Sequence, residues 1–175
     1  MANVHNARGF SALRGSSGGE PRLRKYNANV TTDIFKGDVV QLLASGRVKT
    51  ITTTTGNAFV LGVAANAIDA SDFSTTQEVW VYDDPDQEFE VTDDGVGATL
   101  SASDVGATFA LILTSGNTTT GLSKHELDAS ASGAATTDAV LLEGFKISPA
   151  VAIGKYASAI VKLNRHIFKT GSAGV

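Results

Sequence analysis

Short apolar runs separated by turn residues follow one another along the chain from about residue 27 onward. Several of them, such as Val79–Tyr82, are rich in the β-branched and aromatic side chains that are typical of strands. The turn signals recur every ~8–12 residues, a spacing that favours sandwiches and barrels. The predicted strands fall in residues 35–43, 47–51, 59–64, 79–82, 88–92, 109–113, 140–147 and 157–168. We therefore predict an all-β fold, either an antiparallel jelly-roll-like sandwich or a closed barrel, with an extended N-terminal arm.

Little helix is expected between these strands. The segment Ser123–Glu126 fits a capping box, which predicts one helical turn. Residues 128–138 consist almost entirely of Ala, Ser, Thr, Gly and Asp, and this low complexity predicts a surface loop.

The first 26 residues differ from the rest of the chain in composition. They contain five basic residues and one acidic residue, a net charge of +4, together with four glycines. They show neither a two-residue nor a 3.6-residue apolar period, which is typical of an extended arm. Such an arm is disordered on its own or becomes ordered only against a partner. We therefore predict an arm over residues 1–26 and a β domain over residues 27–175.

Composition argues against several classes of protein. The chain has no cysteine and only three histidines, so neither a disulfide framework nor a thiolate zinc site is expected. No apolar run approaches the ~18 residues of a membrane-spanning helix, and the first 19 residues have no apolar signal region. We expect no cofactor, no metal, no membrane partner and no secretion.

Two motifs could carry chemistry. Gly15–Gly19 matches the G-x-S-x-G pattern of a nucleophile elbow, but it lacks the preceding strand and following helix that position the serine. The acidic cluster of residues 83–94 contains seven carboxylates and no basic residue. It could be an exposed acidic turn, a Ca²⁺ site, or a pair of catalytic carboxylates. A further interpretation is an acidic surface that meets the basic arm of a neighbouring subunit.

Three ring side chains have an expected environment. Trp80 and Tyr82 lie on one face of their predicted strand, and we expect Trp80 to pack in the core. His125 lies in a predicted polar turn and His166 in the last predicted strand. Because no histidine pair has ligand spacing and no serine is positioned nearby, we expect both histidines at the surface or at an interface.

Five segments together suggest a family. Phe35–Val40, Val60–Ala65, Val81–Val91, Gly121–Asp128 and Val161–Phe168 resemble, in this order, the head cement, or decoration, proteins of tailed bacteriophages. The resemblance covers about residues 35–168, and its motifs are structural. It implies a non-enzymatic protein that binds the major capsid protein as a trimer on the outside of the icosahedral head and stabilises it. The implied location is the virion exterior, after assembly in the host cytoplasm.

The interface residues that we expect lie in the arm and in the acidic cluster. In the arm they are Arg8, Phe10, Leu13, Arg14, Arg22, Arg24 and Lys25; in the acidic cluster they are Asp83, Asp84 and Asp86. The alternative function is a glycan-binding β module of a phage head or tail fibre, and a more distant one is a trimeric β enzyme that uses the acidic cluster. Nucleic-acid binding is not expected, because the chain after residue 26 carries nine basic and 17 acidic residues.

Overall fold

The computed structural model describes residues 3–15, 18–29, 31–52, 60–72, 77–133, 138–148 and 152–169. Within them lie eleven strands and two single-turn 3₁₀ helices, Ala70–Asp72 and Ala102–Asp104. The strands are β1 Ser11–Ala12, β2 Leu23–Ala28, β3 Val39–Leu42, β4 Arg47–Thr50, β5 Val60–Ala64, β6 Glu78–Tyr82, β7 Glu88–Thr92, β8 Thr108–Asn117, β9 Leu122–Gly133, β10 Val140–Phe145 and β11 Ser158–Leu163. The predicted all-β fold is confirmed.

Five strands close into a barrel in the order β2-β4-β3-β5-β6. The pairs within it are antiparallel except for β2 and β4, which are parallel. The other six strands form a curled antiparallel sheet in the order β1-β7-β11-β10-β8-β9. The closed barrel, one of the two predicted architectures, therefore accounts for about half of the strands.

Two hydrophobic cores share one wall. In β3, Val40 faces the barrel interior with Leu61, whereas Val39 packs with Val63 against the curled sheet. All five residues of β5 are buried, because this strand has a core on each face. The continuous apolar run that predicted a buried strand here is therefore explained by its position between the two cores.

The predicted helical turn at Ser123–Glu126 is wrong. These residues belong to β9, and the expected loop over residues 128–138 is also strand as far as Gly133. Every second residue from Ser123 to Ala129 is buried, as in a strand with one face against a core, but the first two of these residues, Ser123 and His125, are polar. Because polar residues occupy these inward positions, the two-residue apolar period is hidden at the start of the strand.

The predicted boundary after Tyr26 falls inside β2, which is a strand of the barrel. Residues 3–15 are extended, as expected of an arm, but β1 pairs with β7 and Phe10 is 4% exposed. Gly9 allows this close approach: its φ is +69°, and a Cβ there would overlap the Ser123 side chain. The N-terminal segment, residues 3–15, is thus packed onto the curled sheet of its own chain.

Among the residues that the structure describes, no helix has both the length and the apolar character needed to cross a bilayer.

A buried carboxyl group lies where β7 ends against β9. Asp93 is fully buried, and neither of its carboxyl oxygens has a hydrogen-bond partner among the described residues. Burial, together with the nearby charges of Asp94 and Glu126, raises the pKa of Asp93 to about 6. The folded protein therefore binds a proton between about pH 4 and pH 6 that the unfolded chain releases.

We expect Asp93→Asn to stabilise the protein at pH 7.5 by an amount on the order of 2 kcal/mol, because it removes an unpaired buried charge. The difference from the wild type should shrink as the pH falls from about 6 to 4, because over this range Asp93 is increasingly protonated in the folded state, and it should be smallest below about pH 4, where Asp93 becomes neutral in both states. Urea unfolding across this pH range, followed by Trp80 fluorescence, measures it. A difference that does not change with pH would contradict the prediction.

Candidate interaction site at the N-terminal segment and the Asp83 cluster

Asp83 lies at the end of the barrel interior. Along β6, Val79 and Val81 point inward and are fully buried, and Asp83 continues this alternation one residue past the strand. Its side chain is also fully buried. A carboxylate in this position needs several donors to offset the loss of hydration.

The donors come from one face of β2 and from Arg22, the residue just before this strand. Arg22 donates from Nε to Asp83 Oδ1 (2.9 Å) and from Nη2 to the Asp83 carbonyl oxygen (3.0 Å). Arg24 places Nε 3.3 Å from Oδ2, and the Tyr26 hydroxyl donates to the same oxygen at 2.7 Å. The antiparallel register of β2 and β6 puts these three side chains on the same face as Asp83. We call these four residues the Asp83 cluster.

The cluster changes the interpretation of two predicted interface arginines. Arg22 and Arg24 were expected to meet an acidic surface of a neighbouring subunit or of the capsid, but they bind Asp83 of their own chain. Burial of Tyr26 and its hydrogen bond to Asp83 raise the pKa of the Tyr26 hydroxyl. Both arginine side chains remain about half exposed, so each contacts solvent while it binds the buried Asp83 carboxylate.

The other two acidic residues lie in the turn between β6 and β7. Asp84 accepts a hydrogen bond from the Asp86 backbone N–H at 3.0 Å. Asp86 is exposed and pairs with Lys169 Nζ at 3.0 Å, which lowers the pKa of Asp86. The three predicted acidic residues thus have different partners. Within the described residues, no group of three or more His, Asp or Glu side chains is arranged to hold a metal ion.

Gln87 holds the N-terminal segment, and the sequence interpretation missed it. Its side chain is fully buried, and Nε2 donates to the carbonyl oxygens of Leu13 (3.2 Å) and Arg14 (3.0 Å). The Leu13 N–H donates to the Glu88 carbonyl oxygen at 2.9 Å. Leu13 is therefore held by the edge of β7. A polar residue before an alternating strand could have marked this position, but nothing in its type identifies its partner.

Phe10 is the anchor of the segment. It was predicted to contact a partner, but it is buried in the core of its own chain, where its ring meets Phe89 edge-on at 6.2 Å. The Phe10 N–H donates to the Gly37 carbonyl oxygen at 2.9 Å. Burying a phenylalanine contributes about 1.5–3 kcal/mol, which offsets part of the cost of ordering the segment.

Two basic residues of the segment remain available to a partner. Arg8 and Arg14 are exposed, and in the part of the chain that the structure describes neither forms an ion pair. Arg8 Nε donates only to Asn6 Oδ1 of the same segment, at 3.0 Å. Val4, at the start of the segment, is 82% exposed. The anchored segment therefore presents uncompensated positive charge at the surface.

A second exposed patch lies on the outer face of the barrel. Trp80 was expected in the core, but it is 40% exposed, because the even positions of β6 point away from the barrel interior. Leu23 is also exposed on the paired strand β2. Lys25 Nζ lies 5.0 Å from the centre of the Trp80 ring and donates to Glu78 Oε2 at 2.7 Å. We call Leu23, Lys25, Glu78 and Trp80 the outer barrel patch.

The two histidines that were predicted at the surface are both buried, His125 at 4% exposure and His166 at 0%. The Val39 N–H donates to His125 Nδ1 at 3.2 Å, and Nε2 lies 3.5 Å from Asp38 Oδ1. Burial lowers the pKa of both imidazoles. His125 points inward from β9, and His166 pairs with Val60 of β5. The sequence prediction placed both at the surface because a histidine does not add to an apolar pattern.

No protein-family model matches this chain, and neither the curated proteins nor the solved structures contain a match.

We expect Asp83→Asn to lower the free energy of unfolding by about 1–3 kcal/mol, because it keeps the shape of the side chain and removes the charge that three donors share. Urea denaturation followed by far-UV circular dichroism measures the loss. The matched control is Asp84→Asn, which removes the same charge from the adjacent turn and should change stability by less than about 0.5 kcal/mol. Equal effects of the two variants would show that the Asp83 cluster does not hold the barrel end.

Proposed function

We propose that this chain is a non-enzymatic virion structural protein that binds the outer surface of a tailed-phage head as a trimer and stabilises it. One observation carries the proposal: the N-terminal segment is anchored by Phe10 and Gln87, yet leaves Arg8 and Arg14 exposed and uncompensated. The resemblance of residues 35–168 to head cement proteins supports the same function.

The anchoring makes this surface suited to binding. A segment that is already held against the curled sheet loses less conformational entropy on binding than a free arm does. The guanidinium groups of Arg8 and Arg14 match an acidic surface, for which we propose the major capsid protein. Each exposed pair contributes only about 0.2–1 kcal/mol, so a trimer that binds through three copies gains most from effective concentration.

We expect Arg8→Ser combined with Arg14→Ser to slow binding to heads at low salt and to change it little at 1 M salt, where the Debye length falls to about 3 Å. The measurement is the association rate on purified, expanded heads that lack this protein, taken from the phage that encodes it. Arg47→Ser combined with Lys49→Ser removes the same charge from β4 and is the matched control. Wild-type rates for the first pair at low salt, or equal slowing by both pairs, would contradict the electrostatic role.

For the trimer, we propose the outer barrel patch as the contact between subunits, because it places Leu23 and Trp80 on the same exposed face of the paired strands β2 and β6. Light scattering of the isolated protein should give the mass of three chains. Leu23→Ser combined with Trp80→Ser should shift that mass toward one chain without unfolding the barrel. A wild-type protein that is a monomer both in solution and on heads would exclude the trimer.

Exposed Trp80 also favours the second candidate, a glycan-binding module, since sugars stack on exposed aromatic rings. Lys25 already occupies one face of this ring. Saturable binding of a host-surface glycan that is lost in Trp80→Ser, together with no binding to heads, would favour the second candidate over the first.

A further inference from the structure

A cleft of about 550 Å³ lies where the barrel meets the curled sheet. The barrel lines it with Asp38, Thr50 and Ile51, and the curled sheet lines it with Leu113, Thr114 and His125. Its volume falls within the range of small-molecule sites in proteins. It shares no residue with the N-terminal segment or with the outer barrel patch.

Two buried oxygen atoms in this lining, one of a carboxylate and one of a hydroxyl, lack a partner. Asp38 is 2% exposed; its Oδ2 accepts a hydrogen bond from the Phe35 N–H at 3.0 Å. Among the described residues, Asp38 Oδ1 has no hydrogen-bond partner, and neither has Thr50 Oγ1. Buried polar atoms are almost always paired. The Asp38 oxygen can only accept and the Thr50 hydroxyl can also accept, so a ligand that donates hydrogen bonds would pair both atoms.

The charge of Asp38 is not balanced by its neighbours. Among the described residues Asp38 forms an ion pair only with His125, whose Nδ1 accepts the Val39 N–H, so the ring proton is on Nε2, which lies 3.5 Å from Asp38 Oδ1. Burial lowers the pKa of His125, which leaves the ring neutral at neutral pH. Asp33 also lines the cleft, and no lysine or arginine is found in its described lining. An anion would be repelled here, and a neutral polyol would leave the carboxylate charge unbalanced.

We propose that this cleft binds the ammonium end of an alkylamine. The Asp38 carboxylate supplies the opposite charge, the hydroxyl groups of Thr50 and Thr114 accept N–H bonds, and Ile51 and Leu113 contact the methylene chain. Because Asp38 is shielded from bulk water, its attraction for a cation is weakly screened. The ammonium comes either from a free polyamine or from the lysine side chain of a partner protein, and the cleft recognises the same chemistry in both. This inference does not depend on binding to a phage head.

The test is a titration of ¹⁵N-labelled protein with n-butylammonium chloride, followed by NMR at neutral pH. We expect saturable shifts of the backbone amides of Val39, Leu113 and Thr114. The two references are sodium chloride at equal ionic strength and n-butanol, which has the same chain and no charge. Spermidine and Nα-acetyl-lysine N-methylamide then distinguish the two sources, since the tighter ligand identifies the source and either one supports the site.

Asp38→Asn should weaken butylammonium binding at least about tenfold, because it removes the charge and retains the acceptor for the Phe35 N–H. Thr50→Val, which keeps the shape of the side chain, should weaken binding by a few-fold. Glu20→Gln removes the same charge at an exposed position outside the cleft and should leave binding unchanged. If Asp38→Asn does not fold, Thr50→Val and the comparison with n-butanol still decide the outcome.

Three results would overturn the proposal. They are equal binding of n-butanol and butylammonium, the same amide shifts with sodium chloride alone, and unchanged butylammonium affinity in folded Asp38→Asn and in Thr50→Val.

Discussion

The burial of both faces of β3 and β5 is the constraint on which the rest of the fold depends. Adjacent residues such as Val39 and Val40 serve different cores, so a one-residue shift of either strand would exchange the side chains that fill the two cores and disturb the packing of both at once. Gly62 belongs to the same constraint, since a Cβ there would overlap the backbone of Tyr82 on β6. The shared wall therefore fixes how closely the barrel strands pack and where the curled sheet rests on them.

This wall also determines what the N-terminal residues can do. Because the barrel closes through β2, residues 23–28 belong to the fold and cannot act as a free arm. The N-terminal segment, residues 3–15, binds the Gly37 carbonyl and the edge of β7, and its Phe10 side chain packs in the apolar core of the curled sheet. The polar groups that hold it, above all the Gln87 carboxamide, satisfy carbonyl oxygens that no strand partner would otherwise reach.

The fold class could be predicted from the sequence because most strands are apolar on at least one face. β5 and the Phe109–Leu113 part of β8 are continuous apolar runs, and β7 alternates cleanly between Phe89 and Val91 on one side and glutamates on the other. The strands that the pattern missed share one physical cause, which is that polar residues occupy positions directed at a core or at the barrel end. Ser123 and His125 hide the start of β9, and Arg24 and Tyr26 hide β2. A pattern of hydrophobicity cannot reveal a strand whose inner face is satisfied by hydrogen bonds and ion pairs.

The net positive charge of the candidate site could be predicted from the sequence. Which of its basic side chains are free to meet a partner could not. A net charge of +4 over the first 26 residues suggests five basic side chains available to a partner. The two-residue period of β2 divides them instead: Arg22 and Arg24 face Asp83, whereas Lys25 points outward to Glu78 and Trp80. Of these five side chains, Arg8 and Arg14, which precede the barrel, are the two that form no ion pair with the described residues. The positive charge that the first 26 residues offer a partner is thus set by strand register, because Arg22, Arg24 and Lys25 already pair with acidic residues on or beside β6.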